Sequence, residues 1–401
     1  MTVVVNLGHV ADVVSGVGFP KEMQGNAEGE VPVFKVGDIS IALKNGTRHL
    51  RRSPNHLTKE AAKLLSKNLM PAGTTIFAKI GEGLKLNRRG ILAQPSLVDN
   101  NVMGLIPKAG VVSPDYLYYF MQTVDLGELS QATAIPSVRK SDVVEIRIPL
   151  RVLRDQENIV AEIEKQFSRL DEAVAGLKRV KANIKRYRAS VLDAFFADEP
   201  NVCLGDVIET GPQNGLYLPK SAYGSGTPML RIDDYQTNWM RPVAELRRVN
   251  ATDAQIAAWA LREGDLVVNR VNSMSHLGKC ASMPASLAGA LFESNMMRMG
   301  LKAHTLPRYV ELYLGGSRGR GRLTQRAKWA VNQASINQQD LLATPLPLPD
   351  IDRQREIVAE VDRLLSIARE AEVEVDTNLR RVQSLRQAIL SAAFSNRNAI
   401  T

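Results

Sequence analysis

The side chains in this chain best suited to chemistry are cations set among glycines, amides and hydroxyls. Residues 315–329 read GGSRGRGRLTQRAKW, with Arg318, Arg320, Arg322, Arg326 and Lys328 and no acid. Glycines let a backbone approach an anion closely, and guanidinium groups fork onto phosphate or onto a guanine edge. A mobile, solvated loop is the other reading of the same composition. A second group, Lys79, Lys85, Asn87, Arg88 and Arg89, surrounds Gly81 and Gly83 after the strand-like Thr75-Ile-Phe-Ala. A third, Arg270, Asn272, Ser273, His276 and Lys279, occupies the matching place later in the chain. Lys44 and Arg48, with His49, Arg51 and Arg52, form a fourth patch, and Arg139 and Lys140 a fifth. Arg, Lys, Asn and Ser are the side chains that pair with phosphates and base edges. Lys44, Arg48, Lys79, Lys85, Asn87, Arg88, Arg89, Arg270, Asn272, Ser273, His276, Lys279, Arg318, Arg320, Arg322 and Lys328 are therefore the candidate polyanion contacts.

Signatures of catalysis are missing. The Gly278-Lys279 pair is followed by Cys280 and lacks the upstream glycine of a phosphate loop, and Gly16-Val-Gly18 stops short of a dinucleotide fingerprint. There is no Gly-x-Ser-x-Gly, His-Glu-x-x-His, Cys-x-x-Cys or Asn/Asp-Pro-Pro-Tyr motif. The histidines (His9, His49, His56, His276, His304) are scattered, and two cysteines, Cys203 and Cys280, cannot build a disulfide framework or a zinc site alone. These absences predict a non-enzyme without cofactor or metal. Lys and Arg number 51 against 42 Asp and Glu, giving a net charge of +9 and a pI near 9.5, which suits a polyanionic partner. No window approaches a membrane span, and the first residues lack a secretory pattern, so a reducing cytoplasm is expected.

What positions these clusters is a repeat. Gln156 and Gln354 lie 198 residues apart, and the same offset pairs Ile159-Val-Ala-Glu162 with Ile357-Val-Ala-Glu360. It also pairs Ser137 with Ser335, Asp142 with Asp340, Pro149-Leu150 with Pro347-Leu348, Arg188 with Arg386, Leu192 with Leu390 and Phe196 with Phe394. Two tandem modules follow, not a solenoid. Ile159, Ile163, Phe167, Leu170, Val174, Leu177, Ile184, Val191 and Phe195 step by threes, fours and sevens, the stripe of a helix. Val361, Leu365, Ala368, Val375, Leu379, Val382 and Ile389 repeat it. Each stripe predicts a helix of about forty residues, roughly 60 Å long, which needs a partner along its length. The first closes on Lys178, Arg179, Lys181, Lys185, Arg186 and Arg188, which complement the helix dipole and line a solvated face or meet a phosphate backbone.

The remaining segments, before Leu150 and from Asn201 to Leu348, read as mixed strand and short helix. They match more faintly, through Leu7-Gly8 with Leu204-Gly205 and Pro114-Asp-Tyr with Pro307-Arg-Tyr, and the offset drifts between about 191 and 199. A shared scaffold with divergent loops implies one kind of task performed on different targets. Because the second half begins directly after a helix, the end of the second helix should return to Val5-Asn6-Leu7.

Two globular halves, each ending in a run like Ser335-Ile-Asn-Gln-Gln-Asp-Leu-Leu-Ala-Thr-Pro-Leu-Pro-Leu-Pro-Asp-Ile-Asp-Arg-Gln354-Arg-Glu-Ile-Val358 and then a long helix, resemble the specificity subunit of type I restriction-modification systems. The first junction, Ile148-Pro-Leu-Arg-Val-Leu-Arg-Asp-Gln156, lacks the later prolines. The resemblance implies an α+β fold: two similar mixed α/β target recognition domains joined by two long antiparallel helices in a coiled coil, with a circular pseudo-twofold. The expected boundaries are 1–150 for the first domain, 151–200 for the first spacer helix, 201–348 for the second domain and 349–401 for the second helix. It implies a non-catalytic subunit that reads a bipartite asymmetric site in double-stranded DNA. Its partners would be two methyltransferase subunits and the restriction/translocase subunits, with no membrane and no cofactor. An assembly protein whose coiled coil joins protein partners, its basic charge incidental, is the competing reading.

Overall fold

Apolar residues kept in helical step over more than ten turns give two uninterrupted helices, Leu153–Phe195 of 43 residues and Ile351–Phe394 of 44. At 1.5 Å per residue each is about 65 Å long. The second opens on Asp350, whose carboxylate accepts the Arg353 backbone N–H at 2.9 Å and so caps a free amide of the first turn. The computed structural model describes residues 2–130, 136–236, 239–330 and 333–395. The last residues of the expected second spacer, 396–401, lie outside them.

The chain divides into two units, Met1–Leu177 with Thr377–Thr401, and Lys178–Asp376. Each therefore takes the opening part of one long helix and the closing part of the other. In the first unit Arg386 forms an ion pair with Asp171 and lies over the Phe167 ring, 4.9 Å from its centroid. In the second, Lys181 meets Asp376 at 2.6 Å and Arg188 meets Glu372 at 2.8 Å, so one chain number rises as the other falls. The helices run antiparallel within each unit.

Both units use one strand topology. In the first, a sheet runs Ala11–Ser15, Val102–Pro107, Thr75–Ala78, Arg89–Leu92 and His49–Leu50 in spatial order. In the second, Ile208–Asn214, Met296–Leu301, Leu266–Asn269 and Cys280–Ser282 repeat the first four places. A smaller sheet repeats too: Val31–Phe34 pairs antiparallel with His56–Leu57 and parallel with Leu97–Val98, as Tyr223–Leu230 does with Arg247–Val249 and Leu291–Phe292. The drifting offsets are absorbed in the loops between these strands.

The invariant register of the helices has a physical cause in Gln156 and Gln354, both fully buried. Gln156 accepts the Ser113 N–H at 2.8 Å and donates to the carbonyls of Val111 (2.9 Å) and Arg151 (2.8 Å). Gln354 accepts the Leu306 N–H at 2.9 Å and donates to those of His304 (3.0 Å) and Pro349 (2.9 Å). One amide thus satisfies three backbone groups where the domain meets its helix, and only a side-chain amide, Gln or Asn, offers two N–H donors and a carbonyl acceptor on one uncharged group. Nearby, Tyr116 donates to Pro149 O (2.5 Å) and meets the Phe394 ring at 5.0 Å. Tyr309 donates to Pro347 O (2.7 Å) and meets the Phe196 ring at 5.1 Å. Each unit is therefore closed by the end of the helix that began in the other. Leu390 and Phe394 share one core with Leu7 and Val10, which is the return of the chain to its beginning that the repeat demanded. No helix among the described residues is long and apolar enough to cross a membrane.

Candidate nucleic-acid interface

In the second unit the polar segments converge. Lys328–Ala330 pairs antiparallel with Gln333–Ser335, which also pairs with Val271–Asn272, so one small ribbon carries Asn272, Lys328 and Trp329. Ser273 follows at the ribbon's edge, its hydroxyl 3.0 Å from His276 Nδ1, and Ser275 Oγ lies 2.9 Å from the same nitrogen. Ser273, Ser275, His276, Lys328 and Trp329 are all exposed, the Trp329 side chain by 73%.

The arginine-rich run is not a loop. Ser317–Thr324 is a helix despite its glycines, and Lys328–Ala330 is a strand. Gly319 has a packing reason: a Cβ there would lie 2.2 Å from the Tyr313 carbonyl oxygen. The helix turns Arg320 and Arg322 toward the protein. Arg320 donates to the carbonyls of Leu277 (3.2 Å), Met274 (3.1 Å) and Ser275 (2.5 Å), and so clamps the 272–277 loop. Arg322 donates to Tyr313 Oη at 3.1 Å and lies 3.7 Å from Glu199. Arg318 is exposed and donates to Ala197 O at 2.9 Å. Lys279 is spent similarly, on the carbonyls of Ile232 (2.6 Å) and Tyr235 (2.5 Å), with the Tyr235 ring centroid 4.3 Å away. Burial lowers its pKa. Arg270 is half-buried and donates to Ser294 O at 3.2 Å.

The first unit corrects the sequence reading further. Arg89 is fully buried, its guanidinium donating to Val124 O and to both oxygens of Asn87, and burial pulls its pKa down to about 10. It holds a loop from inside and has no surface to offer a phosphate. Asn87, at φ 49°, donates to Val124 O (3.1 Å) and accepts the Leu126 N–H (3.2 Å), a turn role that suits an asparagine in the left-handed region. Arg88 donates to Ser40 Oγ at 2.8 Å, and Lys85 pairs with Glu82 at 2.7 Å. Arg48 is engaged by Asp115 and Glu164. Lys79 is half-buried, whereas Lys44, Arg51, Arg52, Arg139 and Lys140 are exposed. The unit also contains an open cavity of about 790 Å³ lined by Arg48, Asn87, Arg88, Tyr118, Tyr119, Gln122 and Arg386 among others. His49 beside it has a lowered pKa, first through burial and then through the positive charge of Arg48.

The residue that composition undervalued is Trp329. It ends the cationic run, and an exposed indole in a strand beside Lys328 presents a flat face on which a base can stack. Among the described residues no group of three or more His, Cys, Asp or Glu could hold a metal ion.

Fold and site together define a class: a chain carrying two like α/β domains on paired long helices, with different polar, cationic loops on each. The comparisons with known proteins agree. Residues 2–186 match the family described as "Type I restriction modification DNA specificity domain". The EcoKI specificity subunit of Escherichia coli (strain K12) is 24% identical over 420 residues, covering 98% of this chain and 88% of that protein. The StySPI specificity subunit of Salmonella potsdam is 23% identical over 406 residues, covering 96% and 86%. A chain from a study of complex assembly and conformational transition of the type I R-M system shares the fold with a TM-score of 0.74 at 19% identity, over 98% of both chains. The HsdS subunit from Thermoanaerobacter tengcongensis does so with a TM-score of 0.56 at 20% identity, over 98% of this chain and 97% of that one. Over nearly its whole length the chain is thus similar to specificity subunits of type I restriction-modification systems, and its first 186 residues match their DNA specificity domain.

Proposed function

We propose that the chain is a non-catalytic subunit that reads a bipartite, asymmetric site in double-stranded DNA, one half-site per globular domain, in the cytoplasm. Methyltransferase subunits and restriction/translocase subunits would supply the chemistry. The observation that carries this reading is one scaffold present twice, with the same glutamine anchor and the same strand order, furnished with different polar loops. In the second domain the reader would be the ribbon and loop bearing Asn272, Ser273, His276, Lys328 and Trp329, with Arg318 toward phosphate. Arg270, Lys279, Arg320 and Arg322 would shape that surface from behind. In the first domain Lys44, Lys79, Lys85 and Arg88 would contact DNA, while Arg89 and Asn87 hold the loop. Selection from a pool of random duplexes, by the chain alone and with its methyltransferase subunit, tests the reading. A split motif with a fixed gap is the expected result. Enrichment of no motif under either condition would leave the assembly-protein reading in its place.

A further inference from the structure

Besides its glutamine anchor, each unit has an arginine that ties its globular domain to a long helix, and the two arginines come from different elements. In the first unit Arg48 precedes the strand His49–Leu50. Its guanidinium donates to Asp115 Oδ1 at 2.9 and 3.2 Å, to Glu164 Oε1 at 2.5 Å and to Tyr119 Oη at 3.1 Å. Asp115 stands in the first turn of the helix Pro114–Met121, and Glu164 lies on the long helix Leu153–Phe195. In the second unit Arg308 stands where Asp115 stood, since Pro114 and Tyr116 match Pro307 and Tyr309. Asp362 stands where Glu164 stood, 198 residues on. Arg308 donates to Asp362 Oδ1 and to Glu311 Oε1, each at 2.6 Å.

The acid on the long helix is common to both units; the cation has moved. The sheets explain why. The five-stranded sheet of the first unit ends on the strand that follows Arg48, and the four-stranded sheet of the second has no counterpart among the described residues. A domain with that edge strand brings its cation from the edge. A domain without it brings the cation from the helix itself. Both arginines are only about one-quarter exposed, at 25% and 26%, and each bridges two acids, a geometry stronger than an isolated surface pair.

We propose that Arg48 and Arg308 are positioning residues: each fixes the seat of its domain on the long helix without touching DNA, a role that rests on the DNA-reading function proposed above. A loosened seat leaves base readout intact and widens the range of half-site gaps the chain accepts.

The second unit supplies the test, because its solution can be transplanted into the first. The full chain is compared as wild type, Arg48→Ala, Arg48→Lys, Asp115→Arg and Arg48→Ala/Asp115→Arg. Two readouts serve: amide exchange in the helix Pro114–Met121, and the gap distribution selected from random duplexes. In Arg48→Ala the helix amides should exchange about tenfold faster, as coupled pairs of this kind allow. The selected half-sites should stay the same while their gap spreads over several lengths. Arg48→Ala/Asp115→Arg should restore both readouts, because an arginine at that position can reach the helix acid as Arg308 does. Asp115→Arg alone crowds two cations on one acid and should not improve on wild type. Should Arg48→Ala fail to fold, Arg48→Lys keeps the charge without the fork and should broaden the gap by an intermediate amount. An unchanged gap in the Arg48 variants, or no recovery in the double variant, overturns the proposal. A wild type that enriches no split motif overturns the DNA reading instead, and the amide exchange with its rescue then decides the tether by itself.

Discussion

Replacing Gln156 by Met keeps the length and shape of the side chain and removes its hydrogen bonds. Three backbone groups then lose their partner: the Ser113 N–H and the carbonyls of Val111 and Arg151. Gln156 has no exposed surface, and a methionine of the same shape keeps water from the faces it covered. A stranded buried donor or acceptor costs about 1–3 kcal/mol, with the N–H at the upper end because it has no second acceptor. We expect a total of about 3–5 kcal/mol, a large share of the 5–15 kcal/mol typical of a domain. For a unit of about 200 residues that is roughly 6–20 °C in its melting transition. Gln156→Glu sharpens the test. It keeps an acceptor for Ser113 but sets a carboxylate against two carbonyl oxygens, which raises its folded-state pKa above the unfolded value near 4.3. The folded state then holds the proton more tightly, so the variant should gain stability as pH falls from the raised value toward about 4 and lose it as pH rises. Calorimetry with unit-resolved amide exchange is the assay, and Gln354→Met is the internal control. It should lower the other unit by a similar amount and leave the first alone. A loss below about 1 kcal/mol in Gln156→Met, or a Gln156→Glu variant indifferent to pH, would refute the anchoring argument.

Three further outcomes follow from the second unit. Trp329→Ala should leave melting unchanged, since the side chain is 73% exposed, yet weaken DNA binding by about tenfold through lost base contact; equal affinity in a filter-binding titration removes Trp329 from the reader. Gly319→Ala must push its methyl against the Tyr313 carbonyl, so the second unit should lose about 1–3 kcal/mol in thermal unfolding, and a neutral result would mean the helix is free to shift. Arg318→Gln should flatten the salt dependence of binding by about one unit of log slope, whereas Arg320→Gln should keep the slope and speed amide exchange in the 272–277 loop; the reverse pattern would exchange their assignments.

The long helices were legible because a 3.6-residue stripe survives in the sequence however the domains diverge, and the glutamine pair was legible because its duty is the same twice. Strand order was hidden, since short strands of two to eight residues carry little periodicity. Side-chain direction was hidden more deeply. Arg89, Lys279 and Arg320 look in sequence like any solvated cation, yet each is consumed by backbone carbonyls. Nothing in composition distinguishes an arginine that meets a ligand from one that closes a loop. The run at Ser317–Thr324 looks like a loop in sequence because each glycine disfavours helix by about 1 kcal/mol, and propensity yields when close packing, as at Gly319, leaves room only for hydrogen. Trp329 was in plain view, but its exposure is a property of the ribbon and not of the run.

The contrast between a fixed offset on the helices and a drifting one in the domains follows from how each element tolerates an inserted residue. In the first unit the long helix must present Gln156 to the 111–113 turn, Glu164 to Arg48 and Asp171 to Arg386. One added residue between Gln156 and Asp171 turns everything beyond it by about 100° and slides it 1.5 Å. At least one of these contacts would then be lost, at a cost of about 1–3 kcal/mol where the stranded group is Gln156 or its backbone partner. The same residue added to a surface loop costs a few tenths of a kcal/mol in closure entropy. Loops between strands can therefore change length and side chains freely while the seat on the helix cannot. Even at that seat, what both halves retain is the acid on the long helix, Glu164 or Asp362, and the arginine that answers it has been free to come from either an edge strand or a helix.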